Sequence, residues 1–181
     1  ALGKMDYEVL IIDGDLRKPA VAKFLGTKIT NGKSIIDFLG GKARLSEIAS
    51  YDEINNITIM GSSKGTQEAN ELITGEKMDY LLSVAREQYD YIIIDTPPLG
   101  FVSDAEDILT LSDSSLIVVR RNVANALSIN DTIDIILASG VKLMGCVYND
   151  AENVSIVGNS SVYSDYQYGK YGYEKYGSTA E

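Results

Sequence analysis

Short apolar runs at residues 8–12, 57–60, 91–95, 115–119 and 143–147 are separated by stretches in which apolar residues recur every three or four positions. The runs are read as strands, and the four consecutive apolar residues of 9–12 suit a parallel strand covered on both faces, a pattern that 91–94 repeats. Helical spacing is clearest in two places. Met78, Leu81, Leu82 and Ala85 mark 76–89, while Leu127, Ile129, Ile133, Ile136 and Leu137 mark 126–138 ahead of Gly140. Strands alternating with helices predict an α/β fold built on a doubly wound, mostly parallel sheet. From 20 to 56 the pattern breaks into short helical pieces, 34–39 and 43–48, set between glycines and charges. That segment is expected to be an insertion lying over a ligand site.

Two of the apolar runs end in acids. Val9-Leu10-Ile11-Ile12 leads into Asp13-Gly14-Asp15-Leu16-Arg17-Lys18-Pro19, and Tyr91-Ile92-Ile93-Ile94 leads into Asp95-Thr96-Pro97-Pro98. In open α/β sheets ligands collect beyond the carboxyl ends of the strands, so three carboxylates are expected near one edge of the sheet. An aspartate after a strand often does no more than cap the next turn or helix. Two such endings in one chain favour a functional site.

The composition narrows the chemistry. A length of 181 residues suits one domain, expected over 1–150, with a compositionally distinct tail at 151–181. The net charge of −10 and a pI near 4.5 argue against nucleic-acid binding and against docking on anionic lipid. No apolar stretch approaches the ~20 residues of a membrane span and no signal-peptide pattern is present, so direct membrane insertion is not expected and the chain reads as cytoplasmic. Cys146, among apolar neighbours in a strand-like run, is expected to be a buried small hydrophobe. The chain has no histidine. That removes Ser-His-Asp and Cys-His catalysis and the usual zinc sites, leaving carboxylates, Lys, Arg, hydroxyls and a hard cation.

Six of the twelve tyrosines, Tyr163, Tyr166, Tyr168, Tyr171, Tyr173 and Tyr176, crowd into the tail among Gly, Asp, Glu and Lys. With almost no aliphatic content the tail is expected to be weakly ordered. It reads either as a low-complexity adhesive or solubilising segment or, beside a phosphate site, as a substrate.

Taken together, these motifs resemble the bacterial tyrosine kinases that govern capsule and exopolysaccharide production, a group within the deviant Walker A ATPases. Asp13 to Arg17 match the Walker A-prime motif of that family and Ile92 to Pro98 its Walker B motif. Smaller similarities are Ser103-Asp104-Ala105, the strand-like 115–120, and Gly145-Cys146-Val147-Tyr148-Asn149. The family commonly has Asn-Pro-x-Glu-Leu-Leu where this chain has Glu68-Ala69-Asn70-Glu71-Leu72-Ile73. A larger departure concerns the phosphate-cradling G-x-x-x-x-G-K-[ST] loop. Gly32-Lys33-Ser34 fits its end, but Thr27 stands where the first glycine is required and no strand precedes it. By resemblance, residues 1–4 look like the end of the helix that follows such a loop, which implies a first strand and P-loop ahead of Ala1.

The resemblance implies an ATP- and magnesium-dependent protein-tyrosine kinase that modifies its own tail tyrosines. In that reading Asp13 is the favoured base, Asp15 and Asp95 hold magnesium partly through water, and Asp13 and Asp15 are exchangeable in these roles. Thr96 and Asn149 fall at nucleotide-binding positions. Arg17 either holds phosphate or orders the acids, or serves as a structural ion-pair partner. Implied partners are other copies of the chain in a ring-like homo-oligomer, a membrane polysaccharide co-polymerase that activates the kinase at the inner face of the plasma membrane, and a cognate phosphotyrosine phosphatase. Two rivals remain: an ATPase of the partition or division-site type, which shares the acids but needs no tyrosine cluster, and a catalytically inactive phosphate-accepting scaffold. A Rossmann dehydrogenase is disfavoured because no G-x-G-x-x-G follows the first strand.

Overall fold

In the first strand, β1 (Val9–Asp13), alternate side chains feed two different apolar clusters, one on each face of a sheet. Leu10 and Ile12 pack with one set of helices, Val9 and Ile11 with another. This period-two division makes the strand central and continuous in hydrophobicity. The computed structural model describes residues 1–27 and 32–151; the tyrosine cluster at 163–176 lies outside the described residues.

The remaining strands are β2 (Ala49–Asp52), β3 (Ile57–Met60), β4 (Tyr91–Asp95), β5 (Ser114–Arg120) and β6 (Lys142–Asn149). Among the described residues six helices accompany them: α1 (Val21–Leu25), α2 (Ile35–Leu39), α3 (Ala69–Ile73), α4 (Glu76–Gln88), α5 (Ser103–Thr110) and α6 (Ala126–Ser139). Single 3₁₀ turns occur at Leu2–Met5 and Leu45–Glu47. The fold is α/β with mostly parallel strands, as the alternating pattern predicts, and Ala1–Asp150 form one compact unit.

The strands fall into two sheets. One has the order β2-β3-β1-β4, with β1 parallel to both β3 and β4; the other is the parallel pair β5-β6. The flank of β4 turned away from β1 and that of β5 turned away from β6 pair with no other described strand. On these strands Tyr91, Ile93, Leu116 and Val118 are exposed.

The larger cluster packs Leu10, Ile12 and Met60 against Ile35, Phe38 and Leu39 of α2, Ile73 of α3, and Met78, Leu81, Leu82 and Ala85 of α4. The i, i+3, i+4, i+7 spacing on α4 puts those four side chains on its one buried stripe. On the opposite face, Leu2, Val21 and Leu25 cover Val9, Ile57 and Ile59.

Two expectations are corrected here. Segment 20–56 borders the site through the Ala20 and Val21 amides but is no insertion: α2 supplies core side chains and β2 forms the sheet's antiparallel edge. β2 escaped the pattern because Ala-Ser-Tyr-Asp turns its polar Ser50 and Asp52 inward and its Tyr51 outward. Asp52 accepts hydrogen bonds from the Ile54 and Asn55 N–H groups and from Asn55 Nδ2, so burial is compensated and the carboxyl is held below its usual range. Cys146 is exposed rather than buried, on β6 beside exposed Val147 and Tyr148.

Candidate active site

Parallel register between β1 and β4 places Asp13 directly across from Asp95, each the last residue of its strand. The chain then stays against β4 for one more residue. The Gly14 N–H donates to the Asp95 carbonyl at 2.7 Å, and a Cβ at Gly14 would lie only 2.7 Å from that oxygen. Glycine is therefore required between the two acids of the Asp13-Gly14-Asp15 motif. Asp15 closes a tight turn by accepting the Lys18 N–H at 2.9 Å.

Asp13 is fully buried. Its Oδ2 accepts from the Ala20 and Val21 N–H groups at the start of α1, each at 2.9 Å, whereas its buried Oδ1 has no hydrogen-bond partner. Desolvation by burial, only partly offset by the Val21 amide, pushes the Asp13 carboxyl up from 3.8 to about 6; Asp95 and Asp15 add repulsion. Asp95 reaches solvent, yet enough protein surrounds it for desolvation, followed by the charge of Asp15, to raise it too. The repulsion between Asp15 and Asp95 is one that a cation would relieve, beside the orphaned buried oxygen of Asp13. Among the described residues no group of three acidic, histidine or cysteine side chains is placed to hold a metal by itself.

Arg17 is an ion-pair partner. Its Nε and Nη2 donate to the two oxygens of Asp104, which is buried in the first turn of α5. α5 has a second tie, because Asn70 Nδ2 donates to Asp107 at 2.6 Å and to Ser103 Oγ at 3.2 Å. Sequence reasoning gave Asp104, Asn70 and Asp107 no role. An aspartate sharing a helical face with Ala105 and Ile108 was the available signal.

Asp13, Asp15, Asp95 and the exposed Thr96 therefore gather at one sheet edge, with Arg17 beside them. Asn149 ends β6 in the other sheet, where its Oδ1 accepts the Asp150 N–H and its carbonyl accepts the Arg121 N–H; no described contact joins it to the acids. Gly32-Lys33-Ser34 serves another purpose than phosphate binding. Ser34 caps α2, exchanging hydrogen bonds with Asp37, and Lys33 Nζ donates to the Lys42 carbonyl. The six tail tyrosines lie outside the described residues.

The AAA domain family matches residues 1–140. The chain belongs to this family. Over 166 residues it is 30% identical to the tyrosine-protein kinase wzc of Salmonella typhimurium, covering 92% of this chain and 22% of that protein. It thus spans about a fifth of that relative's length. The VpsO kinase domain superposes with a TM-score of 0.76 at 28% identity, over 83% of this chain and 73% of that one. The septum site-determining protein MinD of Pyrococcus horikoshii, solved with Mg-ADP, gives 0.67 at 23% identity over 81% and 59%, a likeness of fold alone. The resemblance to bacterial tyrosine kinases within the P-loop ATPase group holds.

Proposed function

We propose that this chain is the catalytic part of an ATP-dependent protein-tyrosine autokinase that phosphorylates the tail tyrosines Tyr163 to Tyr176 in trans and regulates capsular or exopolysaccharide synthesis and export. The observation that carries the reading is the strand-end pair Asp13 and Asp95, in register, with Asp15 beside them and Asp13 Oδ1 buried without a partner.

Phosphoryl transfer needs an oriented nucleophile, neutralised phosphate charge and an acceptor for the hydroxyl proton. A free tyrosine hydroxyl titrates near ~10, and a base works best with a pKa near the working pH. Asp13, at about 6, is ionised at neutral pH and has a pKa close enough to it to act as the base, with its buried Oδ1 uncovered on substrate entry to receive the tyrosine proton. The two α1 amides on Oδ2 fix the carboxyl plane during that step. Asp15 and Asp95 would hold magnesium, which when bound with ATP supplies positive charge to the transferring group. Arg17 is engaged with Asp104 and holds the acid-bearing loop in place. Thr96 and Asn149 remain the proposed nucleotide contacts.

The same acids could direct phosphate to water, as in a division-site ATPase. The tyrosine cluster and the kinase relatives favour tyrosine as acceptor. Assembly as a ring, activation by a membrane co-polymerase at the inner membrane face and reversal by a phosphatase complete the proposal. The test mixes an Asp13→Asn form that keeps the tail with an active form lacking it, both in the full-length protein. Phosphotyrosine on the inactive partner's tail is expected; its absence where wild type is modified would defeat the trans step, and ATP hydrolysis without phosphotyrosine would favour the ATPase.

A further inference from the structure

A circuit of hydrogen bonds closes around the loop that carries Asp15. The Arg17 fork on Asp104 joins that loop to the first turn of α5. Asn70 of α3 grips the same turn, its Nδ2 donating to Asp107 Oδ2 at 2.6 Å and to Ser103 Oγ at 3.2 Å. Ser103 and Asp107 lie about one helical turn apart and share a face, while Asp104 projects about 100° away from Ser103, into the protein. The first turn of α5 is thus held on two faces. The circuit is completed by the segment leading into α3, where the Thr66 N–H donates to the Leu16 carbonyl at 2.8 Å. At Gly65 this segment runs so close to the Arg17 carbonyl that no room is left for a Cβ. A shift of the acid loop, of α5 or of α3 therefore strains the other two.

Asp15 precedes Arg17 by two residues in that loop. It repels Asp95 as long as no cation lies between them, and a loosely held Asp15 would turn away. Cation binding would then have to bring it back, a step that a fixed loop removes.

We propose that Asn70 is a positioning residue for magnesium: through the first turn of α5 and the Arg17–Asp104 pair it holds Asp15 beside Asp95. The inference rests on the kinase reading, which gives magnesium to these two acids, and extends their support to a residue on another element. The far end of α5 supplies a comparison. There Arg86 of α4 donates to both oxygens of Asp113 and to the Leu111 carbonyl, about 10 Å along the helix from Asp104. That tie also fastens α5, but at the end away from the acid loop.

The experiment titrates Mn²⁺ into the full-length protein with ADP present, reading the free ion by electron spin resonance, and measures phosphotyrosine formed with ATP separately. Removing an outer partner of a metal ligand costs about 10–100-fold in affinity, and Asn70 acts one step further out, so Asn70→Ala should raise the Mn²⁺ Kd about 3–10-fold. Arg86→Met should leave it within about twofold, even where both variants lower the urea midpoint. Asp104→Asn cuts the same path nearer the loop and should weaken binding at least as much as Asn70→Ala. The double variant should then be no weaker than Asp104→Asn alone. Asn70→Asp with Asp107→Asn rebuilds the hydrogen bond in the opposite sense and should recover most of the affinity. An unchanged Kd in Asn70→Ala, losses that add in the double variant, or equal losses in Asn70→Ala and Arg86→Met would each overturn the proposal. So would a wild-type protein that binds no Mn²⁺. The kinase reading fails separately: Asn70-dependent Mn²⁺ binding without phosphotyrosine keeps the positioning role and removes the kinase, while phosphotyrosine formation with a Kd indifferent to Asn70 does the reverse.

Discussion

Arg17 and Asp104 form a two-pronged ion pair, with Nε at 2.5 Å and Nη2 at 3.1 Å from the two carboxylate oxygens, joining the loop after β1 to the first turn of α5. The two partners differ in burial. Asp104 is 1% exposed and the Arg17 side chain 29%.

Removing each partner should therefore cost a different amount. Arg17→Met leaves a buried carboxylate without its cation and should destabilise by about 3–5 kcal/mol. Asp104→Asn leaves a guanidinium that can turn to water and should cost about 1–3 kcal/mol. Arg17→Lys should rescue little, since one ammonium cannot reproduce the fork. Urea unfolding of the three variants checks the order; equal losses for Arg17→Met and Asp104→Asn would contradict it.

Asp13 should make the protein less stable as pH rises. Its carboxyl titrates at 3.8 when unexposed to the fold and at about 6 within it, so between those values the folded state binds more protons. Stability is then highest below the lower value and falls as pH climbs through the upper one, by up to about 3 kcal/mol. Asp13→Asn removes this dependence. The variant should be more stable than wild type at pH 7, with the advantage shrinking toward pH 5; the proposed mechanism adds that phosphotyrosine formation by the full-length protein is lost. Asp37 and Asp52, held below their usual range, work in the opposite sense at lower pH, so the difference between variant and wild type is the quantity to follow.

Gly65→Ala should displace the loop after β3. An added Cβ would come within 2.0 Å of the Arg17 carbonyl oxygen, a backbone atom that cannot swing aside. A loss of about 1–3 kcal/mol is expected. Gly26→Ala is the control for backbone conformation, having a positive φ but open space around it, and should show only the smaller cost of that φ.

Cys146 should react with a thiol reagent in the native protein without prior unfolding, because it is exposed. Labelling only after denaturation would restore the buried reading.

The strands at the centre of the site were legible because continuous apolar runs leave few alternatives, and their abrupt acidic endings located the carboxylates. β2 was not, since its inward side chains are Ser50 and Asp52 and its strand character comes from pairing with β3. Cys146 misled for a related reason. Apolar neighbours in sequence predict burial only where another layer covers the strand, and on β6 Met144, Val147 and Tyr148 are exposed too. The choice between phosphate and ion pair for Arg17 depended on Asp104, 87 residues away in sequence, where no local pattern reaches.

The unpaired flanks of β4 and β5 bear on colloidal behaviour. Among the described residues the flanks of β4 and β5, near Tyr91, Ile93, Leu116 and Val118, offer unpaired backbone groups to a further strand, and a charge of −10 opposes a second molecule supplying one near neutrality. That repulsion fades toward the pI near 4.5, just below the range over which Asp13 takes up its proton. Precipitation and the protonation of Asp13 thus approach each other on the pH axis, and dilute protein at low ionic strength is the condition that keeps them apart.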